Sequence, residues 1–154
     1  MSIFLIRHAH AVDAGEDPLR PLSRRGVDQV RALAGFLQRT GAFEPTEFWH
    51  SPLARAQETA ELLASRMKLD VAFTVLPELE PDEDPAAMAR RIKATQASVA
   101  IVGHEPHLSA LASLLVAGKA EPPRFVMKKG TVLALEGVGQ HWMVRWQVHP
   151  DLIA

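Results

Sequence analysis

Short apolar runs alternate with longer stretches of helical periodicity along most of this chain. Ile3 to Ile6, Glu47 to His50, Val71 to Val75 and Ser98 to Val102 are too short for buried helices and read as strands. Between them, Ser23 is placed to cap a helix carrying Val27, Val30, Leu33, Ala34 and Leu37, with Gly41 as its stop. Ser51-Pro52 repeats the start signal, Ser as cap and Pro at the first helical position, ahead of Leu53, Ala56, Ala60, Leu63 and Met67. Pro85 to Ala94 and Pro106 to Ala117 are two further helices. Such alternation predicts an α/β fold with a mostly parallel sheet covered on both faces. Ser98 to Val102 is almost wholly apolar, which predicts a central strand. After Gly118 the pattern changes. Phe125 to Met127, Thr131 to Leu135 and Trp142 to Val148 read as strands, joined by turns at Gly130 and Gly137 to Gly139, that add antiparallel edges. The loop from Asp13 to Pro21 holds Gly15, Pro18 and Pro21 and is expected to lack regular structure.

In open α/β sheets the ligand site lies beyond the carboxyl ends of the strands. Arg7-His8 follows the first strand and His50-Ser51-Pro52 the second. Glu78 follows the third, and Gly103-His104-Glu105 the fourth. The fold therefore delivers histidines, carboxylates, a serine and an arginine to one edge, and Arg55 joins them from the first turn of the second helix.

The totals narrow the chemistry. The 154 residues fit one domain, and 17 Lys and Arg against 18 Asp and Glu leave a net charge of −1. No broad basic surface points to nucleic acid or acidic lipid, so anion binding must come from local clusters of arginine. The chain has no cysteine, which excludes disulfides, thiolate metal sites and cysteine nucleophiles and suits a reducing compartment. No basic segment precedes the first apolar run, so it is not read as a signal peptide. No apolar stretch approaches the ~20 residues that span a bilayer. A cytoplasmic location is expected.

Two chemistries compete for the strand-end cluster. His8 and His10 could hold a metal as a His-x-His pair, completed by His104, His107 and Asp13. Arg7 and Arg55 beside such a site would repel a divalent cation, and the chain is far shorter than the ~250 residues of a typical metal-hydrolase barrel. The anion reading uses the arginines instead. Guanidinium forks suit the outer oxygens of a phosphoryl group, and a neutral imidazole can attack phosphorus. Nearby guanidiniums would keep that imidazole unprotonated and would stabilise charge on the group in transfer. No metal and no cofactor is then required.

The blocks "LIRHAHA", "LRPLSRRGVDQV", "SPLARAQETAELL", "LPELEP" and "VGHEPHLSALASLL" resemble, in order, those of the histidine phosphatase superfamily. The short length with "RPLS" and "LPELEP" resembles its SixA-type phosphohistidine phosphatase branch. The resemblance runs from Ile3 to about Leu115 and implies a three-layer α/β/α, phosphoglycerate mutase-like fold in a single domain, 1–154. It implies hydrolysis of a phosphoramidate or phosphomonoester through a phosphohistidine intermediate. On the matching positions, His8 would be the nucleophile. Arg7, Arg55 and His104 would form the phosphate pocket and Arg20 a further contact. Glu78 falls where many members place a proton donor, with Glu105 as an alternative. Partners would be a phosphorylated protein or a small phosphate compound. A phosphate-recognition module without turnover is the reading from another class.

The chain departs from the family pattern in three places. Ala9 stands where glycine is usual, implying a backbone without positive φ there. Glu58 stands where glutamine is usual. The helical insertions that cover the site in mutases have no room between Met67 and Leu79, so an open pocket is expected. Other residues have plainer readings. His10 should point away from His8 along an extended chain. His107 reads as structural, in the first turn of a helix, and His50 as a neighbour of the site or a plain loop residue. His141 and His149 read as structural or exposed. Lys128-Lys129 reads as a turn, or as a contact for an acidic partner protein.

Overall fold

The structure is a computed structural model and describes residues 1–153. Six strands form one sheet: β1 (Ser2–Arg7), β2 (Glu47–His50), β3 (Ala72–Val75), β4 (Val99–Gly103), β5 (Val132–Val138) and β6 (His141–Val148). Their order is β3-β2-β4-β1-β5-β6, so the apolar fourth strand is central, as its composition predicts. β1, β2, β3 and β4 pair in parallel, while β5 and β6 are antiparallel additions at one side. The helices are α1 (Arg24–Thr40), α2 (Ala54–Arg66), α3 (Pro85–Ala94) and α4 (His107–Ala117).

Alternation along each strand sorts the core into two layers. Phe4 and Ile6 of β1, Phe48 of β2, and Ala100 and Val102 of β4 meet Val30, Leu33 and Leu37 of α1 and Ala56, Ala60 and Leu63 of α2. Ile3, Leu5, Trp49, Val99 and Ile101 face the other way, onto Met88 and Ile92 of α3 and Leu108 and Leu111 of α4. Two helices on each face give the α/β/α sandwich. Each fully buried Ile or Leu contributes about 1.5–3 kcal/mol of hydrophobic stabilisation. No helix among the described residues is long and apolar enough to cross a membrane.

Several local readings need correction. Ser23 caps α1 as expected, accepting from Gly26 N, and Gly41 closes it at φ 66°. Ser51 does not cap α2. That helix starts at Ala54, because the Ser51 N–H still pairs with the Val102 carbonyl and prolongs the sheet. Phe125 to Met127 is not a strand. Its carbonyls are taken by side chains instead of a ladder: Phe125 O accepts from Ser109 Oγ, Val126 O from Gln147 Nε2 and Met127 O from Arg7 Nη1. The Asp13–Pro21 loop holds one 3-10 turn, Asp17–Leu19, and its ends are drawn together by the Ala11–Leu22 bridge.

Candidate active site

Strand register brings the first and fourth strand ends together. Arg7 is paired with Gly103 across β1 and β4, so the next residues, His8 and His104, leave the sheet side by side. The His8 N–H donates to the Gly103 carbonyl at 3.0 Å, and the two imidazoles lie 5.0 Å apart between ring centroids. His50 is paired with Val102 between β2 and β4, which delivers Ser51 beside His104. A cavity of about 220 Å³ opens at these ends, lined by Arg7, His8, Arg20, Arg55, His104 and Glu105 with Lys129. A larger cavity, about 430 Å³, lies by Met1, Lys93 and Trp142, where β1 begins, and none of the described residues that line it is a histidine.

His8 is 6% exposed, and its Nδ1 lies 2.7 Å from the Ala9 carbonyl. A carbonyl only accepts, so Nδ1 carries the proton and the Nε2 lone pair is left free. Burial pushes the His8 pKa from 6.5 down to about 4, with Arg55, Arg7 and Lys129 adding repulsion. Desolvation is thus the leading reason that this ring is neutral, and the guanidiniums on which the sequence reading relied come second. Ala9 keeps an ordinary negative φ, as its side chain requires. Its N–H donates to Thr59 Oγ1 at 3.0 Å, and the same hydroxyl donates to Arg55 O at 2.7 Å.

The cations are held by backbone and by one loop. Arg7 Nη1 donates to Met127 O at 3.0 Å. Arg55 is 6% exposed and its Nη1 donates to Asp17 O at 2.9 Å, with Asp17 Oδ1 at 3.4 Å. Arg20 donates to Val12 O and to Asp17 Oδ1, at 3.1 and 3.0 Å. The Asp13–Pro21 loop therefore carries Arg20 to the cavity and supplies Asp17 as a brace for both arginines. Burial lowers the pKa of Arg7 and Arg55, the sign of a charge held at a cost. Their Nε groups are buried without a hydrogen-bond partner among the described residues. A bound anion would relieve that cost.

His104 is 2% exposed, and burial with repulsion from His8 lowers its pKa to about 3. Ser51 Oγ lies 2.6 Å from His104 Nε2 and accepts from Leu53 N at 3.2 Å. With an acceptor role already filled, the hydroxyl proton is available to Nε2. With Nε2 accepting from that hydroxyl, the His104 proton would sit on Nδ1, which has no partner among the described residues.

Neither carboxylate proposed as proton donor is free. Glu78 does not line the cavity. Its Oε2 takes a 2.7 Å bond from Arg91 of α3, and that bond holds its pKa below the ordinary value. Glu105 lines the cavity but is bonded to Ser109, accepting from its N–H at 2.8 Å and from its hydroxyl. His10 turns away from His8, its Nδ1 2.6 Å from Ser23 Oγ. His50 Nδ1 bonds the Ser51 carbonyl at 2.8 Å, and His107 is buried with neither ring nitrogen partnered among the described residues. Among the described residues no three His, Cys, Asp or Glu side chains are grouped closely enough for a metal ion.

Three features of the site lie beyond the sequence reading. Thr59 ties Ala9 to α2, and Glu58 accepts from Leu22 N at 3.0 Å, pinning the far end of the Arg20 loop. Both face inward at helical spacing, one on each side of Arg55, which is the signal that could have found them. Lys129 enters the cavity from the turn before β5, which is tied to β1 by Gly130 N–H bonds to Arg7 O and His8 O at 3.0 and 3.1 Å.

The family model described as "Histidine phosphatase superfamily (branch 1)" matches residues 3–80. The chain belongs to that superfamily, the class that its parallel strand ends and paired histidines already suggest. It is 31% identical over 155 residues to "Phosphohistidine phosphatase SixA" of Escherichia coli K12, covering 97% of this chain and 94% of that one. A solved structure described as the protein histidine phosphatase SixA complexed with tungstate matches with a TM-score of 0.90 and 28% identity over 100% of both chains. The α-ribazole phosphatase of Shigella flexneri shares the fold, with a TM-score of 0.77 at 20% identity over 97% of each chain.

Proposed function

We propose that this protein is a phosphohistidine phosphatase, and that His8 takes the phosphoryl group covalently. Neutral His8 attacks phosphorus through Nε2. A phosphorus–nitrogen bond forms to His8, and the bond from phosphorus to the substrate's imidazole nitrogen breaks, with the electron pair leaving on that ring, whose other nitrogen carries a proton so that it departs as neutral imidazole. Water then attacks the phosphorus on His8, the bond to Nε2 breaks, and orthophosphate departs. Arg7, Arg20 and Arg55 would hold the outer oxygens, and His104 would donate from Nδ1 to one of them. One observation carries this reading: a buried imidazole with Nδ1 committed to a carbonyl, set in a cavity of guanidiniums.

The engagement of both candidate carboxylates favours the substrate class. An alkoxide leaving group needs protonation, whereas an imidazole departs far more readily. Glu78 is engaged by Arg91 and Glu105 by Ser109, so neither carboxylate is poised as an acid. The names of the relatives are consistent with this choice, and tungstate in one of them is a tetrahedral oxyanion like phosphate. The natural partner would be a histidine-phosphorylated protein in the cytoplasm, acted on by a single domain spanning 1–154.

A leaving-group series tests the proposal. Phosphoramidate and phosphohistidine peptides should be hydrolysed, aryl phosphates more slowly, and alkyl phosphates at least about 100-fold less efficiently, the usual reach of general acid catalysis. Equal efficiency on alkyl phosphates and phosphohistidine would show that a working acid exists and would overturn it.

A further inference from the structure

A second basic cavity adjoins the catalytic one and shares two of its walls. It measures about 330 Å³ and contains Arg7, His10, Arg25, Lys128 and Lys129, with Asp151 the one carboxylate among the described residues that line it. Arg7 and Lys129 line both cavities, so the two are neighbours across those side chains. Among the described residues no carboxylate lies within 4.0 Å of Arg25, Lys128 or Lys129. In a chain whose net charge is −1, four cations around one carboxylate are a local concentration, not a general surface property.

The lysine turn is rigidly held. Gly130 N donates to both Arg7 O and His8 O, Thr131 N donates to Lys128 O at 2.9 Å, and Arg7 N donates to Thr131 O at 3.1 Å. Gly130 has φ 82°, and a Cβ there would stand 2.7 Å from the Pro150 ring, so this packing depends on glycine. Opposite the turn, Gln29 Oε1 fixes His10 by accepting its backbone N–H at 2.9 Å. The cations are therefore presented on a fixed frame beside the phosphoryl site.

We infer that this cavity is a docking subsite for carboxylates flanking the phosphohistidine of an acidic protein substrate. The inference rests on the phosphatase reading above. The described residues that line it are all polar or charged, which favours a charged ligand over an apolar one. Attraction would be carried by exposed charge, which suits scattered carboxylates on a protein face. Sharing Arg7 and Lys129 sets the reach: a flanking carboxylate must sit one cavity away from the phosphorus. Arg25 and Lys128 would select the substrate without touching the reacting group.

The test compares two synthetic phosphohistidine peptides, one with glutamates around the phosphohistidine and one with glutamines, using phosphoramidate as the small control. The variant is Arg25→Ser with Lys128→Ser, both exposed positions outside the catalytic cavity. The unaltered protein should prefer the acidic peptide by about tenfold in kcat/KM at low salt, through KM, with the preference shrinking as salt screens it. In the variant that preference should disappear while phosphoramidate hydrolysis is unchanged. If the protein hydrolyses both peptides equally, or the variant keeps the preference, the subsite is overturned and the phosphatase reading stands. An equal loss on phosphoramidate would also overturn it, since the two residues would then be serving the catalytic cavity. Hydrolysis of none of the three substrates would overturn both readings.

Discussion

At the scale of single residues, the site is a case of burial setting chemistry. His8 is neutral mainly because it is desolvated, with its pKa near 4. The form that would attack is the neutral one, so acid should remove activity and alkali should not. On a substrate whose own ionisation is corrected for, kcat/KM should stay level from about pH 7 to about pH 5 and fall only towards pH 4. An acid limb near 6.5, the ordinary histidine value, would mean that His8 is not buried as described. Arg7, His8, Arg55 and His104 were legible in the sequence because each ends an apolar run or opens a helix. Glu78 lies outside the cavity lining for a reason no local pattern carries. Its partner, Arg91, lies 13 residues on and turns back from another helix to bind it.

At the scale of elements, the site depends on close approach between segments. Gly26 in the first turn of α1 packs directly on His10, and a Cβ there would overlap the His10 carbonyl oxygen. Backbone cannot yield as a flexible side chain can, so Gly26→Ala should push α1 away from the segment that follows His8. The expected result is a loss of about 1–3 kcal/mol in denaturant unfolding, the usual cost of overpacking, together with reduced turnover. Unchanged stability would show that this contact is slack. The boundaries of α1, β2 and α3 could be read from periodicity and capping. The start of α2 could not, because Ser51 serves His104 and the sheet instead of the helix. Phe125 to Met127 has strand composition, yet side chains from three separate elements claim its carbonyls.

At the scale of the whole molecule, three buried imidazoles tie stability to pH. Desolvation lowers the pKa values of His8, His104 and His107 to about 4, 3 and 4 from the usual 6.5. The unfolded chain therefore binds protons below about 6.5 that the folded chain refuses until about 4, and stability must fall with acidification across that window. The full cost, reached once the folded-state pKa values are passed, is on the order of 3–5 kcal/mol per imidazole. His107 has no hydrogen bond among the described residues to offset its burial, so His107→Leu should raise stability at pH 5 more than at pH 8. Thermal melts at the two pH values check this, and an equal effect at both would contradict it. The three-layer architecture was visible from the alternation of runs alone. The basic cavity beside the site was not, since Arg25 and Lys128 meet only through the turn that Gly130 holds against β1.

The covalent step itself is open to direct measurement. The protein is mixed with labelled phosphoramidate, quenched in alkali within a single turnover, digested, and the label located by peptide mapping. An acid-labile, alkali-stable phosphate on His8, absent from His8→Ala along with turnover, is the expected result. Label on another residue, or full hydrolysis by His8→Ala, would contradict the account at its root.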